Sequence, residues 1–278
     1  MTYDRRLIAP LLITLILAGA HWSFGMLRGY EAIALAVGLA ILTEFAMRRV
    51  LTGEAPQVAS AYVSGISITI LVRSPVLWPY ALGAVISVLS KGVLRVRGRH
   101  LWNPTNLGIC VLLFLAPYAV APLSVQWGNN LWPMLVIWII GLSALRMAKR
   151  AHITLTYVAS FFLFAFVRSL ITDRGFLTEI APITGPMYQL FALFMVTDPK
   201  TTVNARWGAA LVACLIAFVE MLFRLAEVIY APFYALFIVG PVALLVEMWW
   251  TSRDARPVAT TSPSARVSSA TARSTRPC

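Results

Sequence analysis

Most of the residues in this chain that could do chemistry fall in two strings. The first, Leu101-Trp102-Asn103-Pro104-Thr105-Asn106-Leu107-Gly108, follows directly on the cationic run Lys91, Arg95, Arg97, Arg99 and His100. The second, Phe194-Met195-Val196-Thr197-Asp198-Pro199-Lys200-Thr201-Thr202, ends an apolar run in a charged turn. Pro199 removes a backbone donor and pushes Asp198 out of the helical region, so the chain turns there and leaves helix-end carbonyls and amides to be satisfied. Asp198 can accept from an N–H edge, Lys200 can meet a phosphate or quinone oxygen, and Thr201 and Thr202 supply hydroxyls. In the first string Asn103 is a natural N-cap and Pro104 suits a first helical turn; a helix N-terminus beside four cations is an anion site. Both strings also have a plainer reading, as capped turns whose cations only set membrane topology.

Composition defines what must position them. Hydrophobic residues make up 59% of the chain and charged residues 12%, with a mean hydropathy of +0.78, which reads as a polytopic, all-α membrane protein. Apolar runs predict about ten transmembrane helices: 7–24, 32–47, 59–72, 76–89, 104–118, 131–145, 153–170, 185–196, 207–223 and 231–249. The first run lacks a cleavage site and reads as a retained span. The segment 59–72 is short and rich in Ser60, Ser64, Gly65 and Ser67, the mark of close helix approach or of a broken helix at a binding site. It ends in Arg73-Ser74-Pro75 as 185–196 ends in Thr197-Asp198-Pro199. The chain therefore reads as one membrane domain, 1–250, in two inverted five-helix repeats, about 1–125 and 126–250, followed by a disordered basic tail, 251–278.

With ten spans both termini lie on one side, and that side collects thirteen cationic residues before the tail against five on the other. The positive-inside rule then puts both termini and both strings at the cytoplasmic face of a bacterial cell membrane. The net charge of +12 is thus read as topology and attraction to anionic lipid, with no nucleic acid partner. Cys110, Cys214 and Cys278 have no metal-ligand or disulfide spacing; an iron–sulfur cluster would want four ligands, so the two in apolar runs read as packing residues. Glu220, deep in the ninth run, is the membrane acid expected to carry any ion or proton path, or else to pair with a polar neighbour.

On the two strings the chain resembles the membrane flavoprotein family of RnfD and NqrB, components of the Rnf electron-transport complex and of the sodium-translocating NADH:quinone oxidoreductase, whose members carry similar Asn-Pro and Thr-Asp-Pro strings. Its Thr-Asp-Pro-Lys-Thr form is most like the branch found beside enediyne biosynthesis genes in actinobacteria. The resemblance, over roughly residues 30 to 250, implies a ten-helix inverted repeat, flavin held in the membrane, and electron transfer coupled to ion movement. It departs in one place: the Ser-Gly-Ala-Thr string that carries covalent FMN in the family is absent from the loop 119–130. The flavin implied, FMN or riboflavin, is therefore noncovalent, with Asn103, Asn106, Thr197 and Asp198 addressing its ring edge. Lys91, Arg95, Arg97 and Arg99 would offset negative charge on a reduced ring or a phosphate, while in the second turn Lys200 would meet a phosphate or quinone oxygen and Thr201 would supply a hydroxyl. No dinucleotide fingerprint is present, so electrons would arrive from other membrane electron-transfer proteins or a biosynthetic redox enzyme. Two other functions fit the same sequence: a cofactor-free exporter of a hydrophobic metabolite on the same scaffold, and a cofactor-free structural component of a membrane complex.

Overall fold

The computed structural model describes residues 8–24, 30–51, 53–122 and 131–254. Arg5, Arg6, most of the 119–130 loop and the tail beyond 254 lie outside them. Within these residues the chain is almost entirely helical. The first half contains α1 (Ile8–Phe24), α2 (Glu31–Leu51), α3 (Val58–Leu71), β1 (Val72–Arg73), α4 (Trp78–Val93), β2 (Arg95–Val96), β3 (Arg99–His100), α5 (Pro104–Leu115) and β4 (Ala121–Pro122). The second contains α6 (Leu131–Ala148), α7 (Ala151–Thr172), the short α8 (Phe176–Ile180), α9 (Pro186–Leu190), α10 (Arg206–Leu225) and α11 (Ala231–Asp254). Beyond Leu190, α9 continues as a π-helical turn over Phe191–Met195. β1 pairs antiparallel with β4, and β2 with β3.

Helices therefore stand at all ten expected positions, but the expectation of ten full membrane spans needs correction. Among the described residues three helices, Ala151–Thr172, Arg206–Leu225 and Ala231–Arg253, are long and apolar enough to cross a membrane. The reason is mostly length. α3 has 14 residues and α5 has 12, a rise of roughly 18–21 Å against a hydrocarbon core of about 30 Å. α2, at 21 residues, is long enough but carries Glu31, Glu44, Arg48 and Arg49.

The two halves pack in partly matching order; the extensive α2–α3 packing has only a weaker counterpart, α7 against the π-helical turn after α9. α2 lies on α3 and α4, and α4 on α5; correspondingly α7 lies on α10 and α10 on α11, while α1 against α3 is matched by α6 against α9. α1–α6 and α5–α11 join the halves. Gly65 permits the α2–α3 approach, since a Cβ there would lie 2.8 Å from Val37 Cα. Both halves also use a buried arginine at the eighteenth position of their second helix. Arg48 binds Glu44 at 3.0 Å and also Glu54, in the connection that follows. Arg168 donates to Glu179 Oε2 at 2.7 Å and to the Glu179 carbonyl at 2.8 Å. The outer surface is apolar on most of the long helices, with Leu42, Phe45, Leu155, Leu163, Leu211, Leu215, Ile238 and Leu245 exposed.

A candidate ligand cavity between the two halves

The basic run is folded into a hairpin. Its two-residue turn, Arg97-Gly98, has positive φ at both positions, 49° and 79°, the backbone that suits the twist of tight β-hairpins. It sets Arg95 opposite His100 and Val96 opposite Arg99. Arg97 then donates to the Met248 carbonyl at 3.1 Å, and Arg99 to Glu247 Oε2 at 2.7 Å and to the Thr202 carbonyl. The other Glu247 oxygen accepts the Asn204 amide at 2.7 Å. Farther along, Trp102 Nε1 donates to the Phe237 carbonyl at 2.9 Å and Asn106 Nδ2 to the Phe233 carbonyl at 3.2 Å. From Glu247 to Phe233 is about 21 Å of helix at about 1.5 Å per residue. The hairpin thus lies beside Glu247 and Met248 of α11, and the first string beside Phe237 and Phe233.

The two strings meet there. Asn103 caps α5, its oxygen accepting the Asn106 amide at 3.1 Å, while its Nδ2 donates to Asp198 Oδ2 at 3.3 Å. Asp198 also accepts the Lys200 amide at 3.0 Å and the Thr201 hydroxyl at 3.2 Å. The hydroxyls of Thr197 and Thr202 donate to the carbonyls of Leu193 at 2.7 Å and Val196 at 3.0 Å. Much of the polar capacity expected to face a ligand therefore holds the turns together. Burial raises the Asp198 pKa above the usual carboxylate value, against the Lys200 amide and Thr201 hydroxyl bonds that lower it.

Beside this junction a cavity of about 980 Å³ lies between the halves, at the upper end of the roughly 300–1,000 Å³ of small-molecule sites. Its apolar walls come from Ile13 and Ile16 of α1, Val63 and Ile70 of α3, Leu145 of α6, and Leu190, Leu193 and Phe194 of the α9 segment. Its polar end holds Gln57, Ser60, Ser64, Ser67, Lys91, His100, Asn103, Thr197, Asp198 and Lys200. Lys91 Nζ donates to the Ser60 carbonyl at 2.7 Å and to Ser60 Oγ at 2.8 Å. His100 is 5% exposed, and its Nδ1 has no hydrogen-bond partner. Burial first, then the charges of Lys200, Arg95, Lys91 and Arg48, pushes its pKa down to about 4, so the ring is neutral.

Of the expected site residues, Lys91, Asn103, Thr197, Asp198 and Lys200 line the cavity. Thr201 reaches it only through Asp198. Asn106 is buried against α11, and Arg97 and Arg99 fasten the hairpin. The sequence reading missed His100 as a site residue and, although it read 59–72 as close helix approach or a broken helix at a binding site, did not name its serines as site residues. Ser60, Ser64 and Ser67, at helical spacing on one face of α3, were the available signal.

Glu220 lies outside the cavity and is 0% exposed. It accepts the hydroxyls of Tyr157 at 2.6 Å and Tyr188 at 2.7 Å and Arg224 Nε at 3.0 Å. Arg224 also donates to the Tyr188 hydroxyl. The buried carboxylate is thus paired with polar neighbours, as its cost requires. No family model matches the chain and no curated protein matches it, so the functional reading rests on these residues.

Proposed function

We propose that this chain is an integral membrane protein of a bacterial cell membrane whose ten helical segments form two inverted halves, the shorter helices completing the passes begun by the three long ones. In this reading it holds a flavin, FMN or riboflavin, noncovalently between the halves and serves electron transfer with other membrane proteins or a biosynthetic redox enzyme. The apolar outer surface supports the membrane placement. The repeated packing order and the paired arginines support the repeat. The observation that carries the ligand is the cavity itself, which brings Lys91, His100 and Lys200 together with apolar walls from both halves.

A flat aromatic ligand fits this lining: aliphatic residues of α1, α3 and α9 cover its faces, while Lys91, Lys200 and His100 meet polar or anionic edges. A bound flavin would supply one- and two-electron redox chemistry. The chain's own part is to exclude water with its apolar walls and to keep positive charge at one end. The Asn103–Asp198 bond fixes the two turns that frame this end.

A denaturing gel and its supernatant test the noncovalent reading. Flavin should be released into the supernatant, with no fluorescent protein band. A fluorescent band mapping to Thr184, an exposed hydroxyl in a turn, would contradict it. The exporter reading draws on the short α3 and the π-interrupted α9, both of which line the cavity; paired interrupted helices are how transporters build a central site.

A further inference from the structure

We infer that this protein has an alternating-access activity: the cavity is its open side, and Tyr157, Tyr188, Glu220 and Arg224 form the closed gate of the equivalent space in the other half. The inference goes beyond flavin binding, because it concerns how the halves move around whatever the cavity holds.

Matching positions carry the argument. Ser60 is the third residue of α3, and Tyr188 is the third of α9. Lys91, the fourteenth residue of α4, bonds Ser60; Glu220, the fifteenth of α10, bonds Tyr188. Arg48 and Arg168, both at the eighteenth position of their helices, each bind an acid that follows it in the chain, Glu54 in the connection after α2 and Glu179 in α8. In both halves, then, a charged group late in the fourth helix bonds the start of the short third one. The surroundings differ. Around Lys91 the neighbours on α3 are small serines, and the space is open to exposed Gln57 and Lys200. Around Glu220 the same space is filled by Tyr157, Tyr188 and the Arg224 guanidinium, which stands 5.4 Å from the Tyr188 ring.

The two sites share one short element. Leu190 lines the cavity, Tyr188 closes the gate one half-turn earlier, and the π turn Phe191–Met195 follows directly. Such turns recur at functional sites, and inverted repeats exchange access by rocking one half against the other around a fixed centre. In the exchanged state the tyrosine gate parts and the Lys91–Ser60 side closes. The present arrangement is held by charge-assisted bonds to Glu220, so weakening them should shift the balance toward the exchanged state.

The test is chemical access in the full-length protein, with Cys110, Cys214 and Cys278 replaced, reconstituted in vesicles and treated with a membrane-impermeant maleimide from either side. Ser64→Cys probes the cavity, and Met187→Cys, beside Tyr188, probes the gate. With the gate intact, Ser64→Cys should label from the cavity mouth and Met187→Cys should not label. Tyr188→Phe or Arg224→Gln should raise Met187→Cys labelling from the opposite side about tenfold, with Ser64→Cys labelling falling in step. Unchanged labelling at both sites, or a rise at both together, overturns the inference. If Arg224→Gln is not monodisperse on size exclusion, Tyr188→Phe, which keeps the ring, decides. The labelling reads geometry whether or not the preparation is coloured, so its failure is distinct from failure of the flavin reading.

Discussion

Asn103 uses both ends of its amide, one to cap α5 and the other to hold Asp198 in the second turn. Loss of an N-cap costs about 1 kcal/mol, and Asn103→Ala also releases the Asp198 bond, so its melting temperature in detergent should fall further than a cap alone explains. Asn103→Asp keeps the capping oxygen and should fall less. His100 gives a pH signature. Its folded pKa of about 4 lies below the ordinary 6.5, so the stability it contributes is full above about pH 6.5 and is lost as pH falls toward 4. Asp198, shifted upward by burial, has the opposite sign, gaining stability as pH falls through its raised pKa. In an Asp198→Asn background, melting should therefore weaken between about pH 6.5 and 4, and adding His100→Gln should flatten that slope. The cap was legible in the sequence because Asn-Pro is a local signal. The Asn103–Asp198 bond was not, since it joins residues 95 apart, and nothing local distinguishes a cap that also bridges.

At the scale of elements, the α7–α8 connection depends on Arg168, which is 2% exposed and bonds Glu179 twice. Removing one member of a buried pair leaves an uncompensated charge, at a cost of about 3–5 kcal/mol. Arg168→Met should therefore sharply lower the yield of folded protein, and Arg168→Met with Glu179→Gln should recover part of it, as measured by monodisperse protein on size exclusion. From sequence Arg168 counted only as one of a few cations on the outer side, because burial of a charge is decided by which helices meet it. The helix positions themselves were legible, since each shows as a continuous apolar run bounded by charged, glycine or proline residues. Whether a run crosses a bilayer was less so, since α3 and α5 are too short alone, and the hairpin before α5 is held by Arg97 and Arg99 bonds that no apolar pattern reports.

At the scale of the molecule, two halves whose packing order matches in part enclose a cavity at their joint. Topology reporters placed after Met147 and after Lys200 should read cytoplasmic, and one placed within 123–130 should read external, following the charge excess on the first side; the reverse pattern would invert the proposed orientation. The sequence paired the two short segments that stop at Pro75 and Pro199, and both line the cavity. The cavity was not visible, because its lining comes from six separated stretches and its volume depends on how the halves approach. The flavin content of protein purified in mild detergent tests the central claim most directly, wild type beside Ser64→Phe, a substitution that fills the cavity from α3. The account predicts visible flavin absorbance near one per chain in the wild type and its loss in a normally folded Ser64→Phe protein. A colourless wild type, or flavin retained undiminished in Ser64→Phe, would contradict it.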